Sequence, residues 1–222
     1  MEKRVSLVLV CVAICALVST TSKANLLTDP GAEQEISAPN PNPTAIPGWA
    51  FYNGASFLTT VNAHSGTNVV YTPGGGGGYS VPGAFQNFPA AAAQTFTLSG
   101  WVYTPNLLVS NSNDFAILQL QYWSDNAYSV ADGGAVGVNV GTPIGPGPTT
   151  VGLPQGVWTF ASVTATAPAG TLGVSAYAEN INADANATFY FDDMVLVPEP
   201  STVAMALTGL LGLVAFAKKR RV

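Results

Sequence analysis

Between Asn25 and Val197 the sequence has no lysine and no arginine. All seven basic residues lie outside: Lys3, Arg4 and Lys23 towards one end, Lys218, Lys219, Arg220 and Arg221 at the other. Of twelve acids, Glu2 and Glu199 also fall outside that window, which leaves ten within it, beside one histidine, His64. Nothing there can neutralise phosphates, which argues against nucleic acid as a partner. Adhesion to anionic lipid is disfavoured for the same reason. Ion pairs to Lys or Arg cannot hold this body together, so a buried carboxylate must find backbone donors, hydroxyls or a metal ion. Cysteine is also scarce: both copies, Cys11 and Cys15, sit in an apolar run near the start. The body therefore uses no disulfides. No long segment carries helical periodicity; Ala90–Ala93 is too short, and Pro89 precedes it. No H-E-x-x-H, Cys cluster or Walker sequence occurs, and the glycine run 74–78 is followed by no Gly-Lys-Ser/Thr.

The two ends read as handling signals. Lys3 and Arg4 make a positive start, Val5 to Val18 an apolar run, and Ser22-Lys23-Ala24 puts small residues at −3 and −1. This predicts a signal peptide over 1–24, with signal peptidase cutting before Asn25. Val10 and Ile14 before the two cysteines are not small, which argues against a lipoprotein. The other end reads Val197-Pro198-Glu199-Pro200-Ser201, then an apolar run over 202–217, then Lys218-Lys219-Arg220-Arg221. The prolines hold the motif extended. The apolar run, as a transmembrane helix, reaches roughly 24 Å, short of the ~30 Å hydrocarbon core. The cations stay on the cytoplasmic side. A short span behind a rigid polar motif suits a segment held briefly and then cut.

These residues resemble the PEP-CTERM sorting signal. That resemblance implies a bacterial export, with an exosortase as the processing partner, in Gram-negative bacteria that make exopolysaccharide. The alternative is an ordinary short membrane anchor. The expected itinerary is transient residence in the inner membrane, then the cell surface or extracellular matrix.

Residues 25–197 are rich in Val, Thr, Tyr, Phe, Gly, Pro and Asn, which predicts one all-β domain. Leu26-Leu27 would start a strand, and Asp29-Pro30-Gly31 would turn it. Strands are expected at 56–62, 67–72, 94–103, 115–123, 157–166, 171–178 and 187–197, with a weak one at 135–140 inside a long Gly/Pro/Asn-rich insertion, 124–154. Evenly spaced short strands favour a two-sheet β-sandwich, or jelly roll, over a barrel. The segments N-L-L-T-D-P-G-A-E, A-H-S-G-T and Y-F-D-D-M-V-L resemble, in order and spacing, the galactose-binding-like jelly roll of many carbohydrate-binding modules. That resemblance implies a structural Ca2+ held by Glu33 from the opening segment and Asp192 or Asp193 from the last strand. Hard carboxylate oxygens suit calcium; the alternative is that Asp192 and Asp193 are solvated turn or edge acids.

Alternation places Trp101 and Tyr103 on the polar side of one strand, and Gln119, Gln121 and Trp123 on the polar side of the next. Together they are candidates for a sugar platform, because aromatic faces and amides match the C–H faces and hydroxyls of carbohydrate. Tyr177 and Glu179 are further candidates. The alternative is that Trp101 and Trp123 pack under the long loops as a satellite core. Trp49 and Trp158 read as core. His64, in the turn 63–66, reads as a structural hydrogen-bonder, and no motif places a carboxylate pair across a cleft. The expectation is therefore a non-catalytic surface or matrix protein associated with exopolysaccharide. The alternatives are a purely structural or adhesive protein and, further off, a polysaccharide-active enzyme.

Overall fold

The structure is a computed structural model. It describes residues 24–33, 48–60, 62–74, 80–106, 114–141, 150–181 and 187–199. The expected signal peptide up to residue 23, the tail from Pro200 on, the proline-rich segment 34–47 and residues 75–79 of the glycine-rich loop lie outside the described residues.

The described residues form eleven strands and no helix: β1 Ala50–Tyr52, β2 Ser56–Thr59, β3 Asn68–Thr72, β4 Gly83–Pro89, β5 Thr95–Tyr103, β6 Phe115–Trp123, β7 Val136–Gly141, β8 Thr150–Val151, β9 Thr159–Thr166, β10 Gly173–Ile181 and β11 Phe189–Pro198. They build two sheets. One has six strands in the order β1-β4-β10-β6-β7-β8, the other five in the order β2-β3-β11-β5-β9. The pairs β1–β4, β4–β10, β10–β6, β6–β7, β2–β3, β3–β11 and β5–β9 are antiparallel, and β7–β8 is parallel. The expected all-β sandwich is what the chain forms.

Period-two alternation sets the two layers. In β5, Phe96, Leu98 and Val102 turn inward; in β6, Ala116, Leu118, Leu120 and Tyr122 do; in β10, Val174, Ala176 and Ala178 do. From β11, Phe189, Phe191, Met194 and Leu196 complete the core. Phe191 and Met194 are three apart yet both face inward. The extra residue is taken up at Asp192-Asp193, where Asp193 has φ 46°, a bulge in the strand. Asp192 is thereby left with no exposed surface.

The opening segment is held by side chains rather than by a ladder. Gln86 of β4, 2% exposed, donates from Nε2 to the Thr28 carbonyl at 2.7 Å and accepts from the Thr28 N–H at 3.0 Å. Leu26 N–H donates to the Leu196 carbonyl at 2.8 Å. Trp49 is core as expected, with its indole N–H on the Asp29 carbonyl at 2.9 Å. Trp158 is not. It is half-buried just before β9, on the outward side of the five-stranded sheet, where its N–H meets the Asn62 carbonyl at 2.9 Å. Indole size pointed inward, but the chain has not yet entered the alternation of β9 at this position.

Candidate functional site

The five proposed platform residues do not share a face. Trp101 and Tyr103 lie on β5 in the five-stranded sheet; Gln119, Gln121 and Trp123 lie on β6 in the six-stranded sheet. Their side chains point outward from opposite sides of the sandwich. Alternation gave each residue its outward direction, but consecutive strands β5 and β6 belong to different layers. This corrects the single-platform expectation.

Gln119, Gln121 and Trp123 instead join residues of β1, β4 and β10. Register sets out the rows. One runs Ala50–Phe85–Tyr177–Gln119–Gly137, the next Asn87–Ser175–Gln121, the next Pro89–Gly173–Trp123. On the other side lies the row Tyr52–Gly83–Glu179–Ile117. Three steps of two residues cover about 20 Å along the strands. Phe85 and Tyr177 stack with centroids 5.1 Å apart and 28° between planes, and Tyr52 flanks Phe85 at 6.1 Å. Trp123 is oriented by its N–H donating to Ser175 Oγ at 2.7 Å, and Ser175 donates on to Asn87 Oδ1. Gln121 Nε2 donates to the neighbouring Tyr122 carbonyl at 2.8 Å. The Gln119 amide has no hydrogen bond to any described residue, so it can serve both as donor and as acceptor.

Glu179 closes one end of this face. It is 9% exposed although it points outward. Tyr52 lies over Gly83 and its hydroxyl donates to Glu179 Oε1. Gly83 makes that possible: a Cβ there would sit 2.4 Å from the Tyr52 hydroxyl oxygen and 3.0 Å from Glu179 Cγ. Burial pushes the Glu179 carboxyl above its ordinary range, against the lowering effect of the Tyr52 hydrogen bond. Burial, then the Glu179 charge, pushes the Tyr52 phenol up as well. Tyr52, Phe85 and Asn87 were not singled out in the sequence. β1 is three residues long, and β4 is framed by Pro82 and Pro89, so neither announces itself.

The opposite sheet gathers Trp101 and Tyr103 into a chain of rings. His64 stacks on Trp101 at 4.2 Å and 18°, and Phe160 meets Trp101 edge-on at 5.5 Å. Tyr103 stacks on Tyr190 at 5.5 Å and 16°, and packs on Trp158 at 5.2 Å. These rings spend their faces on one another. For Trp101 that is the satellite-core arrangement, on the outside of the sheet.

The acids cluster where the opening segment, the 62–67 turn and the β11 bulge meet. Asp192 Oδ2 accepts from the N–H groups of His64 and Ser65 at 2.9 and 3.0 Å, and its Oδ1 from Asp193 N–H at 2.7 Å. Burial nevertheless pushes its carboxyl up to about 6, with the Asp193 charge adding and the hydrogen bonds opposing. Glu33 Oε1 accepts from Thr67 and Asn68 N–H at 2.9 and 2.8 Å. Gly66, with φ +60°, leaves it room: a Cβ there would lie 2.3 Å from the Glu33 carboxyl carbon. Asp193 accepts from Ser65 Oγ and pairs with His64 Nδ1, both at 2.7 Å. Serine and histidine therefore converge on one carboxylate rather than on each other, which is not the relay of a nucleophilic triad.

The three carboxylates surround Gly31. A Cβ on it would be 3.5 Å from Asp193 Oδ1, 3.6 Å from Asp192 Oδ1 and 3.8 Å from Glu33 Cγ. Hard oxygens with no Lys or Arg nearby fit a calcium ion in chemistry. Their present bonds go to N–H and O–H donors, and among the described residues no three acidic or histidine side chains are arranged to hold a metal ion.

β11 ends at Pro198, inside the Val197-Pro198-Glu199-Pro200-Ser201 string, and residues 196–221 match a known sequence motif. The chain carries the PEP-CTERM protein-sorting motif. The motif implies export, sorting through the membrane and processing by an exosortase. No curated protein matches the chain by sequence. Among solved structures, an arabinose-bound GH51 α-L-arabinofuranosidase is similar at 19% identity and TM-score 0.51, over 79% of this chain and 26% of that one. A family 16 carbohydrate-binding module has 19% identity and TM-score 0.44, over 64% and 84%. A module called TmCBM61, solved with β-1,4-galactotriose, has 14% and 0.44, over 79% and 99%. The chain thus spans about a quarter of the arabinofuranosidase and nearly all of TmCBM61. Such likenesses are of fold alone, and carbohydrate-binding modules are among the neighbours.

Proposed function

We propose that this is a non-catalytic protein of the cell surface or extracellular matrix that associates with exopolysaccharide and binds carbohydrate on the outward face of its six-stranded sheet. The observation that carries the reading is the pairing of the Phe85–Tyr177 stack with the unengaged Gln119 amide, between Trp123 at one end and Glu179 at the other. Rings take the C–H faces of a sugar, and amides and a carboxyl take its hydroxyls. The fold likeness to a sugar-acting enzyme points the same way by analogy alone.

The test is retention of the full chain, purified in detergent, on immobilised polysaccharides. Tyr177→Ala and Trp123→Ala should each abolish retention. Trp101→Ala, on the other sheet, should preserve it. Retention that survives both losses removes the face from consideration, and no retention on any polymer leaves a structural or adhesive role. Release of reducing ends would make the protein an enzyme instead.

The tail would deliver the domain and then be cut. Replacing Pro198, Glu199 and Pro200 should leave full-length chain in the inner membrane. If uncut chain with Lys218–Arg221 intact is already the normal mature form, the segment is a plain anchor. At the acidic cluster, a calcium ion bound by Glu33, Asp192 and Asp193 would tie the opening segment to β11 and supply the missing counter-charge.

A further inference from the structure

The carbohydrate reading leaves the class of sugar open, and the distribution of charge narrows it. We infer that this face takes an uncharged glycan and rejects polymers bearing carboxylate or sulfate groups. The inference rests on the carbohydrate-binding proposal above and concerns the same face.

Both ends of the face are acidic. Glu179 stands at the Tyr52 end. At the Trp123 end, Asp132 N–H donates to the Tyr122 carbonyl at 2.9 Å, and the Asp132 carboxylate accepts from Thr171 Oγ1 at 2.7 Å. Asp125, two residues beyond Trp123, accepts from the Ser129 hydroxyl at 2.6 Å and from the Ser129 and Val130 N–H groups. Among the described residues only neutral groups stand between these ends: Phe85, Asn87, Gln119, Gln121, Trp123, Ser175 and Tyr177. No Lys or Arg occurs anywhere from 25 to 197. The one imidazole, His64, belongs to the other sheet, against Trp101 and Asp193.

An anionic sugar docking here would give up water without gaining a cation. Removing a charged group from water is costly unless it is paired. Towards either end it would also approach a like charge, and salt screens that repulsion only beyond roughly 8–10 Å. A neutral sugar meets no such penalty. Its hydroxyls both donate and accept, which matches side-chain amides, and a carboxylate can accept from them. Selectivity of this kind arises from the repulsive element as much as from the attractive one.

The test uses a panel of neutral polysaccharides (xylan, galactan, mixed-linkage glucan) and, for whichever is retained, the same polymer after carboxymethylation. Affinity electrophoresis of the full chain should show at least a tenfold weaker interaction with the carboxymethylated form at low salt. That gap should shrink as sodium chloride is raised. Gln119→Lys, which places one cation among the rings, should strengthen the interaction with the carboxymethylated polymer severalfold. Equal or tighter binding of the charged form by the unaltered chain overturns the inference while leaving the carbohydrate reading intact, and so does a Gln119→Lys variant with no gain. Absence of binding to every polymer, neutral or charged, removes both together.

Discussion

Replacing Gly83 by alanine tests how the acidic end of the face is built. The added Cβ would lie 2.4 Å from the Tyr52 hydroxyl oxygen and 2.6 Å from the ring carbon that bears it. The phenol ring must move, because the other near atom, Glu179 Cγ at 3.0 Å, belongs to a side chain that is itself covered. Moving it breaks the hydroxyl's bond to Glu179. A hydrogen bond to a charged group contributes roughly 1.5–3 kcal/mol, and water reaching the freed carboxylate returns part of that. We expect a net loss of about 2 kcal/mol, which for a domain of this size lowers the melting temperature by about 4–8 °C. Thermal unfolding followed by circular dichroism reads it. Tyr52→Phe provides the contrast, since it keeps the ring and leaves Glu179 buried without its donor. Burial raises the Glu179 carboxyl in the folded state, so its contribution to stability is present at low pH and fades as pH rises through its folded value. The Tyr52 bond opposes that rise, so Tyr52→Phe should cost more at pH 7.5 than at pH 5. A Gly83→Ala chain that melts and binds glycan like the parent would refute the Tyr52–Gly83–Glu179 arrangement.

Three further outcomes are expected. Tyr177→Ala should weaken polysaccharide retention at least tenfold while Trp101→Ala changes it little, as measured by affinity electrophoresis; the reverse ranking would move the site to the other sheet. In chelator, the parent should melt at a higher temperature at pH 5 than at pH 8. The Asp192 carboxyl, held at about 6 in the fold against 3.8 ordinarily, favours the folded state below 3.8 and loses that effect as pH rises through 6. Discounted for solvent screening, this amounts to about 1–2 kcal/mol, and a flat pH profile would contradict it. Adding calcium at pH 8 should raise the melting temperature, and chelator should lower it again; an unchanged melting curve removes calcium from the acidic cluster.

Much of the architecture was legible because alternation is a local property. β5 buries every second residue, β6 does so from Leu118 on, and their sequences say so. The turn at Asp29-Pro30-Gly31 and the weak strand near 136–141 were legible for similar local reasons. Which sheet a strand joins is not local. Trp101 and Trp123 have the same alternation and end on opposite faces. β4 escaped notice because its inward positions include Gln86, whose polar end is satisfied only by the distant Thr28 backbone. Glu179 was legible as a candidate; its burial was not, since that depends on a tyrosine more than a hundred residues away lying across a glycine. Trp158 misled through size alone.

The four tryptophans have one more consequence. Each occupies a different setting: Trp49 in the core, Trp123 on the six-stranded face, Trp101 under a stacked imidazole and Trp158 at the edge of the same ring chain. Replacing them singly would assign the emission of each position. His64 touches both Trp101 and Trp158, so His64→Ala should change the emission of those two and leave Trp49 and Trp123 as they are. A ligand on the opposite face should alter only the emission of Trp123. The molecule carries its own optical readout, with one channel beside the acidic cluster and another on the six-stranded face.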